Sequence, residues 1–231
     1  MDVLVLYNTR VEAVLFDFGG TLDADGTTWL DRFYPLYKEA GVDVPRDRFA
    51  RAFYDSDDGL PERFPLKGLS LEETLRFQVG DVLKAIAPDR GERTDAIVSR
   101  FLEDCRRHFR RNKPVLERLA RRHRLGIVSN FYGNLDGVLR SEGLRDLFKT
   151  VADSGVIGAI KPEAGIFLHA LEELGSSAGQ CVMVGDSIPR DMRGAENLRM
   201  AHAHLCAAPQ ERCCGAAWTL RSLPELESIL A

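Results

Sequence analysis

Four side chains able to do chemistry stand at the ends of apolar runs. Asp17 follows Val11 to Phe16, Ser129 follows Leu125 to Val128, Asp186 follows Cys181 to Val184 and Gly185, and Lys161 precedes a helical stretch. Short runs rich in β-branched, aliphatic and aromatic residues suit buried strands. When such strands lie parallel in one open sheet, their carboxyl ends share a rim, and that rim is where ligands bind. A nucleophilic carboxylate, a hydroxyl, an ammonium and a second carboxylate on one rim suit phosphoryl transfer through a metal, because the transferring group is anionic and needs cations and donors around it. Taken singly, each residue has a plainer reading: Asp17 capping a turn, Ser129 and Asp186 capping helices, Lys161 as a solvated ammonium.

Positioning these residues on one rim requires an α/β fold, and the chain is patterned for one. Strand and helix alternate on either side of a long helical stretch, which predicts a Rossmann-like parallel sheet core over residues 1–22 and 112–231 with an all-helical cap inserted over 23–111. Within the insertion, Trp29, Phe33, Leu36, Tyr37 and Ala40 share one helical face, and Pro35 predicts a kink. Arg46 to Ser56 predicts a second helix, and Gly59 to Pro65 a loop. Ser70 with Glu73 forms a capping box for a third helix, and a fourth begins at Thr94. Beyond it, Pro162 predicts the first turn of a helix that Gly175 ends. Ala201 to Cys206 predicts the last strand, and Leu223 to Leu230 a closing helix.

At 231 residues, with 45% hydrophobic and 29% charged residues and a net charge of -4, the chain has the composition of a soluble globular protein with a sizeable core. Nothing in this balance points to nucleic acid, and no apolar run is long enough for a membrane span. Met1 to Tyr7 lacks the features of a signal peptide and reads as an extra strand or a leader. The five cysteines, odd in number and without CxxC spacing, predict reduced thiols and a cytoplasmic location. Cys206, Cys213 and Cys214 near His202 and His204 give a weaker zinc reading. The arginines and lysine from Arg106 to Arg124 read as a solvated face, or as a positive field drawing in phosphorylated substrates. A monomer or a homodimer fits equally well.

The stretch Asp17-Phe18-Gly19-Gly20-Thr21-Leu22 resembles the first signature of the haloacid dehalogenase superfamily, Asp-x-Asp-Gly-Thr-Leu. Ser129-Asn130 resembles the second signature, Lys161-Pro162 the third, and Gly185-Asp186-Ser187 with Asp191 the fourth, in the family's order and over nearly the whole chain. The resemblance implies a hydrolase, most members being phosphatases. It implies that Asp17 is the nucleophile, that Asp17, the carbonyl of Gly19 and Asp186 hold Mg²⁺, and that Ser129, Lys161, Asn130 and Thr21 contact a small phosphorylated metabolite. Asp191 would position Lys161 or the water of the metal.

One position departs from the pattern. The Asp that belongs at Gly19 protonates the leaving group and later activates water, and glycine has no group for either task. General acid–base catalysis is worth about 10²–10⁴-fold. Three readings follow: a phosphatase helped by another carboxylate such as Asp23 or Asp25; phosphonate or other carbon-centred chemistry, for which the resemblance implies a cap lysine, here Lys38, Lys67 or Lys84; or a catalytically silent binder of a phosphorylated ligand. The 2-haloacid dehalogenases also lack the second Asp, but the Gly185-Asp186-Ser187 pattern counts against them.

Overall fold

The structure, a computed structural model, describes residues 11–207 and 217–230. Residues 1–10, and with them the strand-or-leader question, lie outside it, as do Cys213 and Cys214. Strand β1 (Ala13–Phe16) is followed by four helices, α1 (Trp29–Glu39), α2 (Arg46–Arg63), α3 (Leu71–Ile86) and α4 (Thr94–Ala120), with a 3₁₀ turn over Pro88–Arg93. The chain then alternates: β2 (Arg124–Ser129), α5 (Leu135–Ser141), β3 (Thr150–Asp153), the single turn α6 (Ser154–Ile157), α7 (Ala164–Leu174) and β4 (Cys181–Gly185). It continues through a π turn (Ile188–Met192), α8 (Arg193–Asn197), β5 (Ala201–Leu205), β6 (Ala217–Leu220) and α9 (Leu226–Ile229).

The six strands form one sheet in the order β3-β2-β1-β4-β5-β6, with every pair parallel. Strand β1 sits between β2 and β4, with Phe16 in register with both Ile127 and Val184. All four of its residues are buried, which explains why they read as a continuous apolar run rather than an alternating one. The two faces bury different sets. Val14, Phe16, Ile127 and Val184 join the cap helices in one apolar cluster, whereas Leu15, Val128 and Met183 pack under α7.

Several expectations change in detail. Helix α2 runs to Arg63 through Gly59 and Pro61, where the sequence suggests a loop. The glycine explains this, because a Cβ on it would lie 2.1 Å from Arg63 Nη1. Its absence lets Arg63 lie along the helix and donate to the carbonyls of Asp55 and Ser56 and to Asp81. Helix α4 runs without a break across residues 111–112, the expected boundary between cap and core, with Pro114 inside it. Pro162 is not in the first turn of a helix: the Lys161–Pro162 bond is cis and α7 begins at Ala164. Strand β5 is not the last, since β6 extends the sheet beyond it. The Ser70–Glu73 capping box and the left-handed Gly175 cap are present as expected. No described helix is long and apolar enough to cross a membrane.

Candidate active site

The central strands β2, β1 and β4 deliver their ends to one rim. Asp17 follows β1 directly, and its backbone N–H bonds Val184 O, so the ladder reaches to the carboxylate itself. Ser129 is the last residue of β2, and Asp186 follows β4. Lys161 arrives from the turn after α6. The structure brings all four together. Ser129 Oγ donates to Asp17 Oδ1 at 2.8 Å, and Lys161 Nζ lies 2.7 Å from the same oxygen. Lys161 Nζ also donates to Asp191 Oδ1 at 2.6 Å, and Asp191 Oδ2 accepts from the Ser187 N–H. Asp17, Ser129, Lys161 and Asp191 are all buried.

Two expected substrate contacts also hold the site together, Asn130 from the cavity wall and Thr21 from beneath it. Thr21 is fully buried and donates to Asp186 Oδ1 at 3.0 Å, so its hydroxyl holds a carboxylate rather than facing a ligand. Asn130 uses both ends of its amide on Lys161, accepting from its N–H at 2.7 Å and donating to its carbonyl at 3.2 Å. Its side chain clasps the lysine loop. Gly20 permits the loop to close: it sits at φ 87°, and a Cβ there would lie 2.6 Å from Asp186 Oδ2.

Carboxylate oxygens of Asp17, Asp186 and Asp191 lie within 4.8 Å of one another. Burial, reinforced by the charges of Asp17 and Asp191, raises the Asp186 carboxyl well above the usual range, against the pull of the Thr21 hydroxyl. Asp191 is raised as well, by burial, with Lys161 opposing. Burial alone would lower the Lys161 ammonium, but Asp17 and Asp191 outweigh it and the net shift is upward. One ammonium therefore faces three carboxylates, and Lys161 is shared between Asp17 and Asp191. A hard cation with oxygen ligands fits the remaining negative charge at Asp17 and Asp186. Among the described residues this trio is the group able to hold a metal. His202 Nδ1 instead lies 3.0 Å from Met200 O and His204 Nε2 lies 3.0 Å from Asp186 O, so the rings are engaged along β5.

The rim opens into a cavity of about 150 Å³ between sheet and cap. Its lining adds residues that no motif flagged: Trp29, Phe53 and Asp57 from the cap, Tyr132 from the loop after β2, and Arg190. Arg190 was within reach of sequence reasoning, since it lies between the two acids Asp186 and Asp191. None of Lys38, Lys67 or Lys84 lines the cavity; Lys84 borders a separate groove on the cap. Nor do Asp23 and Asp25. Asp23 is fully buried and receives bonds from Gly20 N, Trp29 Nε1, Arg32 Nη1 and Cys105 Sγ. Asp25 pairs with both terminal nitrogens of Arg111. Part of the basic run is likewise paired, with Arg106 on Glu142, Arg118 on Glu227 and Arg124 on Glu12.

Residues 11–199 match the family model of the haloacid dehalogenase-like hydrolases. The chain is 38% identical over 111 residues to the pyrimidine 5'-nucleotidase YjjG of Escherichia coli, covering 46% of this chain and 49%, about half, of that protein. It is 29% identical over 180 residues to the bovine haloacid dehalogenase-like hydrolase domain-containing protein 3, covering 74% of this chain and 71% of that one. The crystal structure of a HAD phosphatase from Thermococcus onnurineus matches with a TM-score of 0.56 and 25% identity, over 95% of this chain and 98% of that one.

Proposed function

The chain belongs to the haloacid dehalogenase-like hydrolases, and on that premise we propose that it is a Mg²⁺-dependent phosphatase of small phosphorylated metabolites, working through an aspartyl-phosphate at Asp17. One observation carries this reading. Ser129 and Lys161 both bond Oδ1 of Asp17, no hydrogen bond among the described residues falls on its Oδ2, and Asp17 lines the same cavity as Asp186. A carboxylate fixed by one oxygen presents the other as a positioned nucleophile.

In this reading Oδ2 of Asp17 attacks phosphorus and the bond to the leaving oxygen breaks. Lys161 and Ser129, already at the nucleophile, face the phosphoryl oxygens as charge moves onto them. Asp191 and Asn130 fix Lys161 at its two ends, ammonium and backbone. Asp17, Asp186 and the Gly19 carbonyl would hold Mg²⁺, which when bound offsets the charge of the phosphoryl group. The cap covers the site and keeps water from competing. The aromatic walls, Trp29, Phe53, Tyr54, Phe131 and Tyr132, suit a flat organic group. A nucleoside 5'-monophosphate is therefore the first substrate to assay, in keeping with the name of the E. coli relative.

The test is turnover of p-nitrophenyl phosphate and of nucleoside monophosphates with Mg²⁺. Acid-quenched protein should carry phosphate on the peptide containing Asp17, and Asp17→Asn should abolish both signals. Turnover that survives in Asp17→Asn would overturn the reading.

A further inference from the structure

We propose that Asp57, on helix α2, is the proton donor and acceptor that Gly19 cannot be; this rests on the phosphatase reading above. The nucleophile rises from the sheet rim, so the leaving group of a bound phosphomonoester points away from Asp17, toward the cap. Asp57 is a cap carboxylate on the wall of that same cavity. Tyr132 Oη and Gln78 Nε2 both donate to its Oδ1. Among the described residues no hydrogen bond falls on its Oδ2. The side chain is thus clamped by one oxygen with the other open to carry a proton.

The surroundings raise the affinity of this carboxylate for a proton. Burial raises the Asp57 carboxyl above its ordinary range, and neighbouring Asp58 adds to this, while the Tyr132 hydroxyl and Arg190 oppose it. The position next to Gly19 is meanwhile taken. A Cβ at Gly19 would lie 3.2 Å from Trp29 Nε1, so the indole occupies the place into which a side chain there would extend. The acid–base group has moved from the loop under the substrate to the helix above it.

The chemistry balances. As Asp17 Oδ2 bonds phosphorus and the P–O bond to the leaving group breaks, the leaving oxygen takes the proton from Asp57 Oδ2 and departs as an alcohol. Asp57, now a carboxylate, takes a proton from the water that attacks the aspartyl-phosphate. The bond between phosphorus and Asp17 breaks, inorganic phosphate leaves, and Asp57 is protonated again.

The experiment measures first-turnover release of the leaving group with Mg²⁺ across phosphomonoesters, from p-nitrophenyl phosphate to alkyl and nucleoside esters. Asp57→Asn should slow alkyl esters by about 10²–10⁴-fold and p-nitrophenyl phosphate, whose leaving group needs little protonation, far less. Asp57→Glu should recover part of the alkyl rate. An equal loss for all esters in Asp57→Asn would overturn the proposal, as would an alkyl-ester rate that Asp57→Asn leaves unchanged. Wild-type protein that turns over no phosphomonoester would instead overturn the phosphatase reading itself.

Discussion

Asp186 carries a charge that its protein neighbours do not balance. Its side chain receives the Thr21 hydroxyl and faces two other acids. Because burial and those acids raise its carboxyl above the ordinary range, a proton competes with any cation entering between Asp17 and Asp186. Mg²⁺ affinity should therefore rise with pH through the raised Asp186 value and level off above it, with proton release on binding below that point. Calorimetry in two buffers of different ionisation heat checks this: Asp186→Asn should bind weakly and release no proton. Asp17, Ser129, Lys161 and Asp186 were legible from sequence because each stands at the end of an apolar run or ahead of a helical stretch, and Asp191 was legible through the resemblance to the family's fourth signature. Thr21 and Asn130 were legible as site residues but not in their partners, which only the closing of the loops decides. Asp57, Trp29 and Tyr132 were not legible, because which cap side chains meet the rim depends on how the helices dock, and periodicity does not encode docking.

At the level of elements, the turn that carries Lys161 has no helix or strand to hold it and relies on Asn130. Replacing Asn130 with Ala removes two side-chain bonds to the Lys161 backbone, at about 1 kcal/mol each. The expected outcome is a loss of about 1–2 kcal/mol in urea denaturation together with a fall in kcat, as the ammonium loses its fixed reach to Asp17. Unchanged stability and kcat would show that the turn holds itself. The strands and most helices were readable from their apolar periods, and the capping box at Ser70 from four residues. The boundaries that failed did so for identifiable reasons. Gly59 and Pro61 signal a loop, yet Arg63 folding over the glycine supports the helix. Helix α4 passes from cap to core as one rod, with Phe101 and Phe109 buried on the cap side and Val115 and Leu119 near the sheet, so no change of composition marks the crossing.

Across the whole molecule, cap and sheet do not have separate apolar interiors. Phe18, just past β1, stacks with Phe109 of α4 at 5.9 Å and meets Phe131 edge-on at 5.6 Å. Through such contacts one cluster runs from Val184 in the sheet to Phe53 in the cap. Removing cap from core would expose that shared surface, so the two should unfold together. Far-UV circular dichroism and calorimetry should report a single transition with matching enthalpies; two resolved transitions would show independent domains. The indole beside Gly19 has a consequence of another kind. The chain has two tryptophans. Trp29 forms part of the cavity wall, with its N–H on Asp23, and Trp218 lies in β6 at the far edge of the sheet. Indole emission responds to nearby charge and water, so the protein carries its own fluorophore at the mouth of the site and a second, remote one as an internal reference. Occupancy can thus be read optically, without a label and before any substrate is known.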